Sequence, residues 1–430
     1  MTESGPQRRR KNSGRRKPIP GLILLFATIY FVQGMAEPTE GLIAQPVRAL
    51  LKSWGYSAAP IAGFGALLAI PWSLKPLYGL LTDFFPIAGT RRRSYLLITS
   101  SLSALGLACL YLMPIPAGAY SRLLLLLLVP TVGVAFSDVV VDALMIEKGQ
   151  PLGLTGVLQS IQWAAMYGGS IVAGLAGGYL SQHGYQKKGF MICAVTMLAT
   201  MLLALICVRE EPQPAAKGRF RFAIQQLGTA ARTPTVLAAA AFLFLWSFNP
   251  FSMSVLYLHM TQQLGMSEQF YGVTVSLLSV GAIAGSLLYG TYCRRVSMTW
   301  LIHLAITMGV VSTLSYCWVI DQNSAASVSV VVGFCYLTGC MVQYDLAAQA
   351  CPVAAAGTTF ALLMSFSNLS LSLSTALGGW LYEIWTDRWG ATFAFNLLVV
   401  TGALSTSVCW LLMPLLRRAS SAGDQDPSAG

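Results

Sequence analysis

A lysine stands in the apolar run Pro71-Trp72-Ser73-Leu74-Lys75-Pro76-Leu77-Tyr78-Gly79, and two aspartates stand four residues apart in Ser137-Asp138-Val139-Val140-Val141-Asp142-Ala143. Holding a charge at membrane depth costs at least ~2.5–3.5 kcal/mol, so Lys75 is expected to face a watery cavity or a partner of opposite sign. The spacing puts Asp138 and Asp142 on one helix face, one turn apart. Two carboxylates so placed repel each other unless a cation or a proton intervenes, which is what proton coupling requires. The same residues also suit a buried ion pair that only locks helices together.

Asp83 closes the lysine-bearing segment, and Arg91, Arg92 and Arg93 open the next. An acid and arginines at one membrane edge can pair in one state and part in another, which predicts a gate built from Asp83, Arg91, Arg92 and Arg93. Taken alone, the arginines also serve as topology anchors. Gly79 predicts a close approach of helix backbones. Gln159, Gln162 and Trp163 share one helix face. Together with Lys75, Trp72 and Asn249 they offer flat faces, amides and a cation, a candidate substrate-binding set. Tryptophans and glutamines in such helices also pack or bond neighbouring helices.

Glu37 and Glu40 share a face if the first helix persists past Pro38, and join Asp138 and Asp142 as candidate proton carriers; otherwise they mark a wet helix end. Trp246-Ser247-Phe248-Asn249-Pro250 supplies a break whose freed carbonyls are candidates to line a cavity. His259 is expected to be solvated near an outer helix end. Asp345 is the acid well inside a second-half segment, and Ser365 to Ser374 suit helix packing.

The elements that position these groups must lie in a bilayer. Hydrophobic residues make up 55% of the 430 residues, charged residues 10%, and mean hydropathy is +0.63, whereas a soluble domain is about 25% charged. Segments near 21–36, 57–82, 94–113, 121–146, 155–181, 189–208, 235–259, 269–292, 299–319, 325–346, 355–382 and 390–414 each approach the roughly 20 residues of a crossing. The expected fold is therefore an all-α membrane protein with twelve transmembrane helices in two pseudo-symmetric six-helix bundles. Its parts are a basic cytoplasmic tail over 1–20, a bundle over 21–208, a cytoplasmic linker over 209–234, a second bundle over 235–414 and a cytoplasmic tail over 415–430.

With both termini cytoplasmic, 20 of the 27 lysines and arginines fall on the cytoplasmic side, among them Arg8, Arg9, Arg10, Lys11, Arg15, Arg16, Lys17, Arg417 and Arg418. The opposite side keeps Arg48, Lys52, Arg122, Lys187, Lys188 and Arg388, which is the asymmetry of the positive-inside rule. The net charge of +11 thus reads as topology, and no nucleic-acid partner is expected. The basic head is followed by no small-residue cleavage site, so the first segment reads as retained. The nine cysteines show no CxxC spacing. There is no GxSxG, HExxH or phosphate loop, and His183, His259 and His303 are scattered. No catalytic residue, metal or cofactor, and no enzyme activity, is expected.

The halves echo one another: Leu77-Tyr78-Gly79 by Leu288-Tyr289-Gly290, and Gly177-Gly178-Tyr179-Leu180 by Gly378-Gly379-Trp380-Leu381, an offset that sets Gly156 on Gly357 and Asp142 on Gln343. PWSLKPLYGLLTDFFPIAGTRRRSYL, the upstream YFVQG at Tyr30 to Gly34, and the downstream SDVVVDALMIEKG and LQSIQWAAMYGGSIVAGLAGGYL resemble the folate-biopterin transporter family, a branch of the major facilitator superfamily. The resemblance implies the major facilitator fold with a site between the halves, and carriage of pterins, folates or related compounds, generally with proton coupling. Lys75, Asp83, Arg91, Arg92, Asp138 and Asp142 occupy the family's characteristic charged places.

The expected partners are a small-molecule substrate, protons or another coupling ion, and the lipid bilayer. The chain is expected to act as a monomer in the plasma (inner) membrane by alternating access. Two other functions stay open: a muropeptide-type or other major-facilitator permease, and a non-transporting membrane sensor or assembly partner.

Overall fold

Proline and glycine punctuation cuts the apolar sequence into helices whose ends are tied by small polar caps. The computed structural model describes residues 19–210, 217–352 and 356–416. The tail residues Arg8 to Lys17, Arg417 and Arg418, and Glu211, Pro212 and Pro214 of the linker, lie outside the described residues. The first half holds α1 (Ile19–Ala36), α2 (Ala44–Ser53), α3 (Ala58–Ala69), α4 (Lys75–Phe84), α5 (Arg93–Leu112), α6 (Tyr120–Gly149), α7 (Thr155–Gln182) and α8 (Gln186–Cys207). After α9 (Lys217–Ala230) come α10 (Pro234–Ser247), α11 (Met253–Leu258), α12 (Glu268–Tyr292), α13 (Met298–Ser315), α14 (Gln322–Ala350), α15 (Ala356–Trp389) and α16 (Ala391–Ser407). Ser267 caps α12 through the Phe270 N–H, and Asp321 and Ser324 form a capping box on α14.

Among the described residues nine helical segments are long and apolar enough to cross a membrane, and the bent pair at Ile224–Ala230 and Pro234–Ser247 raises this to ten. Two further expected crossings are represented by α1, which is shorter, and by the 28-residue α7, which the glycines and polar groups of Gly168 to Gln182 make less apolar. Exposed Leu105, Leu112, Leu125, Leu287 and Leu411 face outward, as lipid-facing positions must.

The packing repeats in register. In the first half α1 lies on α7, α5 on α6, and α5 on α8; in the second, α10 lies on α15, α13 on α14, and α13 on α16. The halves meet through α7 on α12 and, equivalently, α3 and α4 on α15. The sequence echo therefore corresponds to a repeated arrangement of helices.

Each half opens with a broken helix. Pro38 removes a backbone donor and disfavours helix at Glu37, and α1 stops at Ala36. The Glu37 carboxylate then accepts the N–H groups of Thr39 and Glu40 at 2.9 and 2.7 Å. The helix does not persist past Pro38, so Glu37 and Glu40 do not share a helix face. The second break, between α10 and α11, is where Asn249 and Pro250 were expected to place it. The freed Pro250 carbonyl packs on Gly378 of α15 rather than lining a cavity.

A third interruption, the tight 3₁₀ turn Ile70–Leu74, separates α3 from α4 immediately before Lys75. Pro76 has no N–H, so the Trp72 carbonyl loses its i+4 donor. Asn368 Nδ2 of α15 donates to it instead at 3.0 Å. A side chain of one half thus completes the backbone of the other beside the buried lysine.

Candidate functional site

Lys75, first residue of α4, reaches α6 and places Nζ 2.7 Å from Asp138 Oδ2. The Asp138 side chain is 5% exposed and that of Lys75 19%, so each supplies the counter-charge that burial demands of the other. Trp72 flanks them, its ring 4.9 Å from Nζ. Lys75 also feels the charges of Asp142 and Glu37.

Asp142, one turn along α6, is held differently. Its Oδ1 accepts the Tyr30 hydroxyl of α1 at 2.7 Å and Gln162 Nε2 of α7 at 3.0 Å. No cation lies within ion-pair distance of it among the described residues. One lysine therefore stands against two aspartates, and the second is dressed only by neutral donors.

The next residue on α7, Trp163, faces an aromatic ladder. Its ring stacks on Tyr167 at 6.1 Å and, across the interface between halves, on Tyr344 of α14 at 5.4 Å with an interplanar angle of 20°. Gln33 on α1, one turn from Tyr30, is 3% exposed. Both its amide atoms, together with Trp72 Nε1 and Ser137 Oγ, lack a hydrogen-bond partner among the described residues, an arrangement that buried polar groups rarely keep.

The predicted residues divide. Lys75, Trp72, Asp138, Asp142, Gln162 and Trp163 come together where α1, α4, α6 and α7 converge. Gln159 is exposed and joins none of these contacts. Asn249 donates to Thr313 Oγ1 at 2.9 Å and accepts the Phe251 N–H at 3.0 Å, so its amide closes the helix break. Glu37 caps its own turn, and Glu40, 63% exposed, pairs with Arg48 at 3.3 Å. His259 is not solvated: it is 2% exposed and stacks on Phe395 at 3.8 Å. Gly79 makes no close helix contact, since an added Cβ would meet only Val139 at 3.9 Å.

Of the three arginines, Arg92 is the hub. Its guanidinium donates to Thr82 Oγ1 at 2.7 Å, Asp83 Oδ1 at 2.6 Å and Glu147 Oε1 at 2.8 Å, joining α4, α5 and α6 with the fork geometry that only arginine offers. Burial opposes its charge, but Asp83 and Glu147 outweigh that and push its pKa above the ordinary arginine value. Arg93 donates a side-chain N–H to the Leu205 carbonyl at 2.9 Å, and the backbone N–H groups of Arg92 and Arg93 go to Glu210 at 2.9 and 2.7 Å. In the second half the Tyr289 hydroxyl donates to Asp345.

The two ends of the interface between halves differ. Away from Arg92, Lys52 pairs with Glu268, and Gln45 Nε2 donates to the Glu268 carbonyl at 2.6 Å. Glu383 accepts Ser57 Oγ at 2.8 Å and the Ala59 N–H at 2.9 Å. There Gly174 and Gly178 of α7 abut Gly272 of α12, backbone to backbone. At the Arg92 end, a Cβ added to Gly156, Gly290 or Gly357 would meet nothing within 4 Å. Among the described residues, backbone-to-backbone and ion-pair contacts between the halves gather at the Lys52 end, while these three glycines at the other end stand clear of neighbours.

Lys52, Glu268, Glu383, Gln33 and Tyr344 were not singled out by motif reasoning. Tyr30 and Gln33 lay within the YFVQG run, where an amide and a tyrosine about one turn apart inside an apolar segment were the available signal.

Comparison with known proteins agrees with this geometry. Residues 33–428 match the BT1 family. The chain is 31% identical over 417 residues to the folate-biopterin transporter of Synechocystis sp., covering 91% of this chain and 80% of that one. It is 24% identical over 435 residues to the probable folate-biopterin transporter 4 of Arabidopsis thaliana, covering 84% and 88%. Among solved structures, a nucleoside transporter superposes with a TM-score of 0.71 at 13% identity, over 92% of this chain and 99% of that one. A D-xylose-proton symporter does so with 0.70 at 14% identity, over 93% and 99%. Both are of major-facilitator type, and the likeness shows that fold.

Proposed function

Because the chain belongs to the BT1 family, we propose that it is a proton-coupled secondary active transporter that moves a pterin- or folate-like solute across a membrane by alternating access. Membership makes it an integral, multi-pass membrane protein of a transporter family. The observation that carries the reading is Asp142: a carboxylate one turn from a satisfied Lys75–Asp138 pair, held by Tyr30 and Gln162, for which a proton is the missing counter-charge.

In this mechanism protonated Asp142 leaves the buried set neutral, and loss of the proton leaves excess negative charge that favours rearrangement around Lys75. An anionic substrate group competes with Asp138 for Lys75. A flat ring with amide and amino edges stacks beside Trp163 and satisfies the unpaired amide of Gln33 and Nε1 of Trp72. The end joined by Lys52–Glu268 and Glu383 faces the exterior under the positive-inside assignment, so in this reading the cytoplasmic gate is the Arg92 end. Return requires those contacts to part while the Arg92 end closes.

The test is uptake into proteoliposomes of a panel containing pterins, folates, amino acids and muropeptides, with and without an imposed pH gradient. Gradient-driven accumulation confined to pterins and folates is expected. Accumulation of cell-wall fragments instead, or of no solute at all, would overturn the substrate assignment.

A further inference from the structure

The ends of α1, α6 and α8 meet near Arg92 around a cleft of about 110 Å³ that the transport site does not use. Its apolar lining combines the accessible Leu22, Leu25, Leu152 and Cys207 with the buried Phe26, Leu144 and Val208, and Lys148 and Arg209 stand among its lining residues. Leu24 and Ile206 beside it are each 68% exposed, so the cleft borders the lipid-facing surface.

The acids next to these cations in sequence are turned elsewhere. Glu147 is on Arg92, and Glu210 takes the backbone N–H groups of Arg92 and Arg93. Among the described residues neither Lys148 nor Arg209 enters an ion pair. Two cations without an ion-pair partner among the described residues thus border a hydrocarbon-lined slot at the ends of these helices. Simple snorkelling anchors would need the charges but not the slot.

We propose that this cleft binds an anionic phospholipid, its phosphate between Lys148 and Arg209 and the start of an acyl chain against Leu22, Leu25 and Leu152. Basic pockets between membrane helices select such headgroups by charge and retain them by buried hydrocarbon. The lipid would brace α1 and α8 against α6, the helix that carries Asp138 and Asp142. The inference stands apart from the transport reading, because it uses none of that site's residues.

The test is native mass spectrometry of the purified full chain titrated with phosphatidylglycerol, with phosphatidylcholine of the same chains, and with inorganic phosphate. The expected result is retention of phosphatidylglycerol over phosphatidylcholine, no retention of phosphate, and a preference that falls roughly tenfold in K148Q/R209Q. Equal retention of the two lipids, or an undiminished preference in the variant, overturns the proposal. So does phosphate binding as well as the lipid. Should the variant not fold, the three-ligand comparison on the unaltered chain still decides.

Discussion

Lys75 Nζ lies 2.7 Å from Asp138 Oδ2, and the turn that presents the lysine is completed by Asn368 from the opposite half. The pair is therefore both an electrostatic unit of the first half and a neighbour of the interface between the halves. Removing one partner of a buried pair strands the other, at about 3–5 kcal/mol. K75M and D138N are each expected to lower the thermal unfolding temperature of the purified protein, whereas K75M/D138N recovers most of the loss. Transport is expected to stay abolished in the double variant, so stability and uptake separate. Full recovery of uptake would reduce the pair to a structural lock.

The Trp163–Tyr344 stack joins the halves with rings 5.4 Å apart. W163F keeps a face and W163A removes it, so uptake at limiting substrate is expected to fall far more in W163A. An aromatic contact of this kind is worth about 0.5–1.5 kcal/mol beyond its buried area, which sets the expected gap at roughly severalfold to tenfold. Saturation kinetics of the two variants check it, and the difference should appear in the half-saturation concentration.

Much of this was legible in the chain. The bilayer, the repeat and the charged cluster on α4 and α6 followed from apolar length, echoed glycine motifs and charges that lipid does not tolerate. Gln162 meets Asp142, and Asp83 meets Arg92, whereas Gln159, which the spacing sets on one face with Gln162 and Trp163, is exposed. What could not be read was long-range: that Pro76 leaves a carbonyl for Asn368, that Glu268 finds Lys52, that His259 lies under Phe395. For Glu37 and Glu40 the sequence leaves two placements open because one proline decides whether a helix continues, and here the Glu37 carboxylate stabilises the break by taking two backbone donors. Asn249 reads as a polar lining residue until its partners, Thr313 and Phe251, are known.

The junction at the Lys52 end depends on Glu268, which meets Lys52, Gln45 and Tyr257 at once. E268K and K52E each place like charges together and are expected to open that end. K52E/E268K restores the attraction and the seal. The check is thiol labelling of an Ala173→Cys reporter beside this contact, in a background without native cysteines: fast in the single reversals, slow in the parent and the double reversal.

Arg92 keeps its charge at any working pH, so its hub changes only through its carboxylates or by movement. R92K retains the charge but not the fork to Thr82, Asp83 and Glu147. Losing one charge-assisted hydrogen bond costs about 1.5–3 kcal/mol, and uptake is expected to fall by roughly tenfold or more in initial rate. R91Q, at an arginine that makes none of these bonds, is expected to leave it within about twofold. Parallel rate measurements on matched amounts of protein compare the two.

The central claim is that Asp142 carries the coupling proton beside the Lys75–Asp138 pair. The direct measurement is substrate-driven proton movement into sealed proteoliposomes containing a pH-sensitive dye, for the parent chain and D142N. The account predicts that adding a transported pterin outside acidifies the lumen with the parent chain. D142N gives no acidification, yet still exchanges labelled for unlabelled substrate. Undiminished acidification with D142N, or pterin entry through the parent chain with no proton, would contradict it.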